Sequence, residues 1–127
     1  MNSNKNYFEI QRLQNLTTEF PLLKSLASSP MEAVEIDDRH VSFEAPHKTC
    51  ALGQLVEVSG VLFFQNEKQK FSATGRISSF LDVGDNLGMF TVEMHRFDTN
   101  LWGDFRRAIE RTQYDVDRLF RAMRDLE

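Results

Sequence analysis

Residues 71–80 read FSATGRISSF, a stretch that alternates cleanly and then stops alternating. Phe71, Ala73, Gly75 and Ile77 fall on one face of a strand, and Ser72, Thr74, Arg76 and Ser78 on the other. Phe80 then lands on the polar face, so the register slips near the end. A slip of one residue is the mark of a β-bulge, which bends and twists a strand. Gly75 interrupts the apolar row, as Gly60 does in QLVEVSGVLFF (54–64), where Val56, Val58, Leu62 and Phe64 share its face. A mid-strand glycine commonly marks a sharp bend, as at a barrel corner. Two such glycines and a bulge suit a small barrel better than a flat sheet.

The surrounding segments agree with an antiparallel β unit over 31–96. AVEI (33–36) and HVSFEA (40–45) flank DDR (37–39), which reads as a tight hairpin turn. PHKTCALG (46–53), QNEKQK (65–70) and DVGDN (82–86) read as loops, the last leading into LGMFTVEM (87–94). Upstream, Leu13, Leu16, Phe20 and Leu23 recur at helical spacing, with Pro21 placed for the first turn of a second short helix. Residues 1–30 are therefore expected to form a helical extension.

Residues 97–127 give the strongest periodic signal. Trp102, Phe105, Ile109, Thr112, Val116, Leu119, Met123 and Leu126 keep a 3-4-3-4 spacing, with Asp98, Thr99 and Asn100 as cap candidates. The spacing predicts a long C-terminal helix. Its apolar stripe exceeds what one barrel end needs to cover, so the half from Thr112 through Val116, Leu119, Met123 and Leu126 is expected to contact the N-terminal segment, a second copy or another protein. The arginines on this helix are interleaved with acids and read as a solvated face.

Composition narrows the function. The 127 residues make one domain with a real core, and 11 phenylalanines supply much of it. A net charge of -4 argues against nucleic-acid binding. A single cysteine and no apolar leader point to the cytoplasm, and no run approaches the roughly 20 apolar residues of a membrane helix.

A β unit holding ALGQLVEV, FSATGRISSF and LGMFTVEM, followed by a Trp-bearing helix, resembles the bacterial PilZ domain. That family pairs a small antiparallel barrel with a C-terminal helix, and Gly53 to Val56, Gly75 to Ile77 and Phe90 to Met94 occupy its typical segments. PilZ receptors for cyclic diguanylate carry R-x-x-x-R before the barrel and D-x-S-x-x-G in its first strands. Here the stretch before the barrel, LKSLASSPMEA, has Lys24 and no arginine, and DDRHVS matches the second motif only at Asp37. The resemblance thus implies a degenerate member that works through protein contacts in control of motility, pili or surface behaviour. A secretion chaperone of the type III kind is the alternative, suggested by the hairpin EIDDRHVSFEAP; such chaperones interleave helices with strands.

Catalysis finds little support in the residues. Cys50 lies three positions after His47, but no orienting acid or oxyanion site stands at recognisable spacing. Asp37 and Asp38 are read as turn formers rather than paired catalytic acids. His40, His47 and His95 show no metal-ligand spacing. No enzyme activity, metal or cofactor is therefore expected.

Overall fold

The computed structural model describes residues 6–16, 25–27 and 31–111. They form a curled antiparallel sheet followed by a helix. The strands are β1 (Tyr7–Asn15), β2 (Ser25–Ala27), β3 (Met31–Glu32), β4 (Glu35–Ile36), β5 (His40–Pro46), β6 (Leu55–Phe64), β7 (Glu67–Gly84) and β8 (Leu87–Phe97). Their order across the sheet is β2-β1-β6-β7-β8-β5-β4, with β3 paired to β1. Residues 31–36 thereby touch both flanks of the curl: Glu32 pairs with Glu9 on β1, and Ile36 with Val41 on β5. A helix, α1, spans residues 99–111.

The sequence slip at Ser78 is a bulge, and two of the other register shifts, in β8 and β1, share its pattern. In β7 against β8, Ile77 pairs with Val92 and Ser79 with Thr91, leaving Ser78 extra. In β8, Gly75 faces Met94 and Thr74 faces Arg96, leaving His95 extra. In β1, Ile10 faces Gly60 and Arg12 faces Ser59, leaving Gln11 extra. Each bulge flips the in-out parity, so two consecutive side chains turn outward before an apolar one returns inward. Ile10 and Leu13 are both fully buried across the first bulge. Phe80 returns to the side of Phe90 and packs on it while staying 39% exposed, and Phe97 turns inward to meet Phe71 and Trp102.

The two row glycines stand opposite two of these bulges. A Cβ on Gly60 would collide with the Glu9 carbonyl oxygen, and one on Gly75 with that of Glu93. Backbone crowding from the bulged neighbour, as much as bending of their own strands, excludes a side chain there.

Several expected boundaries move. The N-terminal segment expected to be helical is a strand over Tyr7–Asn15, with Phe8, Ile10 and Leu13 buried; Phe20, Pro21 and Leu23 lie outside the described residues. Ladder pairing to β6 and burial against the aromatic core outweigh the weak helical spacing of Leu13 and Leu16. The loops expected at 65–70 and 82–86 shrink to the pairs Gln65–Asn66 (φ 54° and 61°) and Asp85–Asn86 (φ 55° and 63°). Positive φ at both central residues gives the hairpin turns whose twist matches the strands. β7 consequently runs for 18 residues.

Helix α1 is capped by Asp98, whose Oδ1 accepts from the amides of Asn100 (3.1 Å) and Leu101 (3.0 Å). It buries Trp102, Phe105 and Ala108 in the curl of the sheet. The Trp102 ring contacts Phe8, Phe71, Phe97 and Phe105, so one side chain ties the helix to three strands. The continuation expected through Thr112, Val116, Leu119, Met123 and Leu126 lies outside the described residues. Among the described residues, no helix is long and apolar enough to cross a membrane.

Candidate functional site

An open groove of about 410 Å³ lies on the outer face of β5, β8 and β7, walled by the 37–39 turn. Glu35, Asp37, His40, Ser42, Ser78, Ser79 and Thr91 supply its polar lining. The bulge at Ser78 explains part of this: Ser78 and Ser79 both turn outward, widening the polar surface beside Thr91. On its floor, Ser42 and Thr91 share a hydroxyl hydrogen bond of 2.9 Å between directly opposed residues. Ser78 Oγ donates to the Thr91 carbonyl at 3.3 Å.

Asp37 organises the rim. Its Oδ1 accepts from the amides of Arg39 (3.0 Å) and His40 (2.7 Å), closing the turn by the short-range mechanism expected of aspartate. The same carboxylate accepts a hydrogen bond from His40 Nδ1 at 2.9 Å, while the Asp37 carbonyl accepts from Trp102 Nε1 at 2.9 Å. Desolvation pushes the Asp37 pKa up, but the hydrogen bonds from Arg39 and His40 outweigh it and hold the carboxyl below its usual range. The turn is thus fixed from outside by its own cap and from beneath by the helix.

The groove is acidic. Glu35 and Asp37 line it, and Asp38 and Glu93 adjoin its rim. Arg76 faces Glu93 across β7 and β8, yet its guanidinium donates to the Gly53 carbonyl at 2.8 Å. Glu93 is instead approached by two imidazoles, with His40 Nε2 at 3.8 Å and His95 Nε2 at 3.4 Å. The His40 contact comes from the cross-strand register of β5 with β8, which linear spacing does not encode, and the His95 contact is made within β8.

The thiol and imidazole weighed as a nucleophilic pair face different groups. Cys50 is buried, and desolvation pushes its thiol up to about 12, far from the thiolate form a nucleophile needs. His47 Nε2 points at Asp82 Oδ1 (3.1 Å) and the Leu87 carbonyl (2.9 Å), and its ring meets Phe80 edge-on. Both oxygens accept, so Nε2 carries the proton and donates. His47 therefore pins the tip of the β7–β8 hairpin.

A second groove, of about 420 Å³, opens between β1, residues 32–36 and α1, its apolar side formed by Phe8, Ala33, Val34, Ile36, Phe105 and Ile109 and its polar side by Asn6, Tyr7, Glu32 and Glu35. Ile109 is also the last described member of the apolar stripe that the sequence carries on to Leu126.

Comparison with models of known protein families and with characterised proteins gives no match, and comparison of the fold with solved structures gives none.

Proposed function

We propose that the chain is a PilZ-like adaptor of the bacterial cytoplasm, acting by protein contact rather than catalysis, in the control of motility, pili or surface behaviour. The observation that carries this reading is the chemistry of the Asp37 groove. Asp37 is the one residue retained from the family's ligand motif, and it stands among the carboxylates of Glu35, Asp38 and Glu93. A cyclic dinucleotide brings two phosphate charges, which these carboxylates repel, and the nearby Arg76 guanidinium donates to the Gly53 carbonyl instead. Two features of the fold are compatible with a barrel: residues 31–36 bridge β1 and β5, and a tryptophan-bearing helix fills the curl.

Contact with a partner is assigned to the apolar stripe. Its described end, Phe105 and Ile109, lines the apolar groove, and the sequence extends it through Thr112, Val116, Leu119, Met123 and Leu126. A second copy of the chain and a different protein are both compatible with that surface. The test is affinity purification of the tagged chain with and without Val116→Glu plus Leu119→Glu. A stoichiometric protein partner lost in the variant supports the reading. An equal yield of the partner from both proteins removes the stripe from it.

A further inference from the structure

The hairpin of β7 and β8 reaches past its neighbour on one side. β6 pairs with β7 only as far as Arg76. The loop before β6 covers one residue more, because Ile77 donates to the Gln54 carbonyl and accepts from the Gly53 amide. From Ser78 to Gly84, β7 has β8 on one side and, among the described residues, no strand on the other. Every residue of that stretch is exposed. Phe80, Leu81 and Val83 make up half of the exposed large hydrophobic side chains among the described residues.

The open edge presents a defined set of backbone groups. Met94 donates to the Arg39 carbonyl and Asn86 accepts from the His47 amide, so the alternate residues Gly88, Phe90 and Val92 turn their amide groups toward β5. Their partners on β7, respectively Asp82, Phe80 and Ile77, therefore turn theirs away from β8. Ile77 spends them on Gly53 and Gln54, whereas Phe80 and Asp82 direct them at an open edge, the template on which a further strand forms. Residues 77–84 hold no lysine, arginine or proline, the usual guards of such an edge. The one charged side chain, Asp82, is already engaged by the Gly84 amide (2.9 Å) and His47 Nε2 (3.1 Å).

We propose that this edge pairs antiparallel with the same edge of a second copy of the chain, about a twofold axis at Leu81. In that register Phe80 of each copy exchanges both backbone hydrogen bonds with Asp82 of the other. Leu81, 58% exposed, meets its own counterpart in the open pair on the axis, where Cα atoms approach to about 4.5 Å, and the two side chains cover each other. Charge selects both the occupant and the register: each Asp82 stands opposite a Phe80, whereas a register centred on Asp82 would set two carboxylates against each other. The edge is also preformed. The Phe80 ring lies over Gly88, where a Cβ would collide with it, and packs on Phe90 and His47, so little ordering is needed on pairing. Bulges at Ser78 and Val83 confine the pairing to a short stretch, which makes the dimer reversible rather than obligate. The inference is independent of the adaptor reading, which uses the stripe from Phe105 to Leu126.

Sedimentation of the full, untagged chain from micromolar to millimolar concentration measures the dimer. Leu81→Lys sets two ammonium groups against each other on the axis and is expected to weaken it by roughly tenfold or more, with the thermal melt unchanged because Leu81 is exposed. Leu81→Cys places two thiols at a Cα separation that a disulfide spans, so mild oxidation is expected to link it into a dimer faster than Leu52→Cys, a comparably exposed position in a turn. Cys50 is buried and contributes no crosslink. A parent that stays monomeric at millimolar concentration overturns the proposal and turns the edge toward an extended segment of a different protein. A dimer unweakened by Leu81→Lys, or Leu81→Cys crosslinking no faster than Leu52→Cys, overturns it as well.

Discussion

Gly75→Ala adds one methyl group at the crossing of β7 and the bulge of β8. Besides its collision with the Glu93 carbonyl oxygen, the new Cβ would sit 2.9 Å from both the Glu93 carbonyl carbon and Met94 Cα, where ordinary contact starts near 3.4 Å. The obstructing atoms are all backbone, so no rotamer change relieves them. The strands must separate locally by about half an ångström or more, weakening roughly two ladder hydrogen bonds of about 1 kcal/mol each. Overpacking adds about 1–3 kcal/mol. Reduced freedom of the unfolded chain returns about 0.4–1 kcal/mol. The net loss is about 2–4 kcal/mol, which for a chain of this size lowers Tm by roughly 10 °C. Gly103→Ala is the control, because its Cβ would meet only Arg107 side-chain nitrogens, the nearest at 3.5 Å, on helix α1. That change is expected to stabilise by about 0.5–1 kcal/mol. Paired urea and thermal melts measure both. A Gly75→Ala protein as stable as the parent would refute the crowding argument and the bulge register with it.

Phe105→Ala removes a fully buried ring and is expected to cost about 3–5 kcal/mol in urea unfolding. Trp102→Phe keeps most of the packing but leaves the Asp37 carbonyl without its indole donor, so a loss of about 1–3 kcal/mol is expected. Cys50 has a folded-state pKa raised from 9.0 to about 12, so burial favours folding below pH 9 and that contribution fades as pH rises toward 12. At pH 8 the native thiolate fraction is then about one in ten thousand against about one in ten unfolded, and alkylation of native protein should be about a thousandfold slower. Asp37 has its pKa lowered from 3.8, so its stabilising contribution is present above that value and lost as pH falls through the lower folded value. Asp37→Asn should flatten the acid limb of the stability profile measured by thermal melting.

The fold was most legible where the pattern was local and complete. The slip before Phe80 predicted a bulge, and it falls at Ser78. DDR predicted a turn, and Asp37 closes it through its own side chain. The start of the C-terminal helix was equally plain, with Asp98 as its cap and Trp102 and Phe105 in the core. The N-terminal strand was hidden because Leu13 and Leu16 mimic helical spacing, and the bulge at Gln11 breaks the alternation that would have revealed β1. The hairpin turns were hidden because Gln-Asn and Asp-Asn lack the glycine that usually signals positive φ. The site was legible only at Asp37. His40 meets Glu93 through the register of β5 with β8, which linear spacing does not encode.

The adaptor reading requires that the Asp37 groove not take up cyclic diguanylate, so the most direct measurement is calorimetric titration of the purified chain with that ligand. The account predicts no saturable heat at micromolar concentrations, because Glu35, Asp37, Asp38 and Glu93 meet the phosphates and Arg76 is held by the Gly53 carbonyl. One saturable micromolar site would contradict it and make the chain a nucleotide receptor.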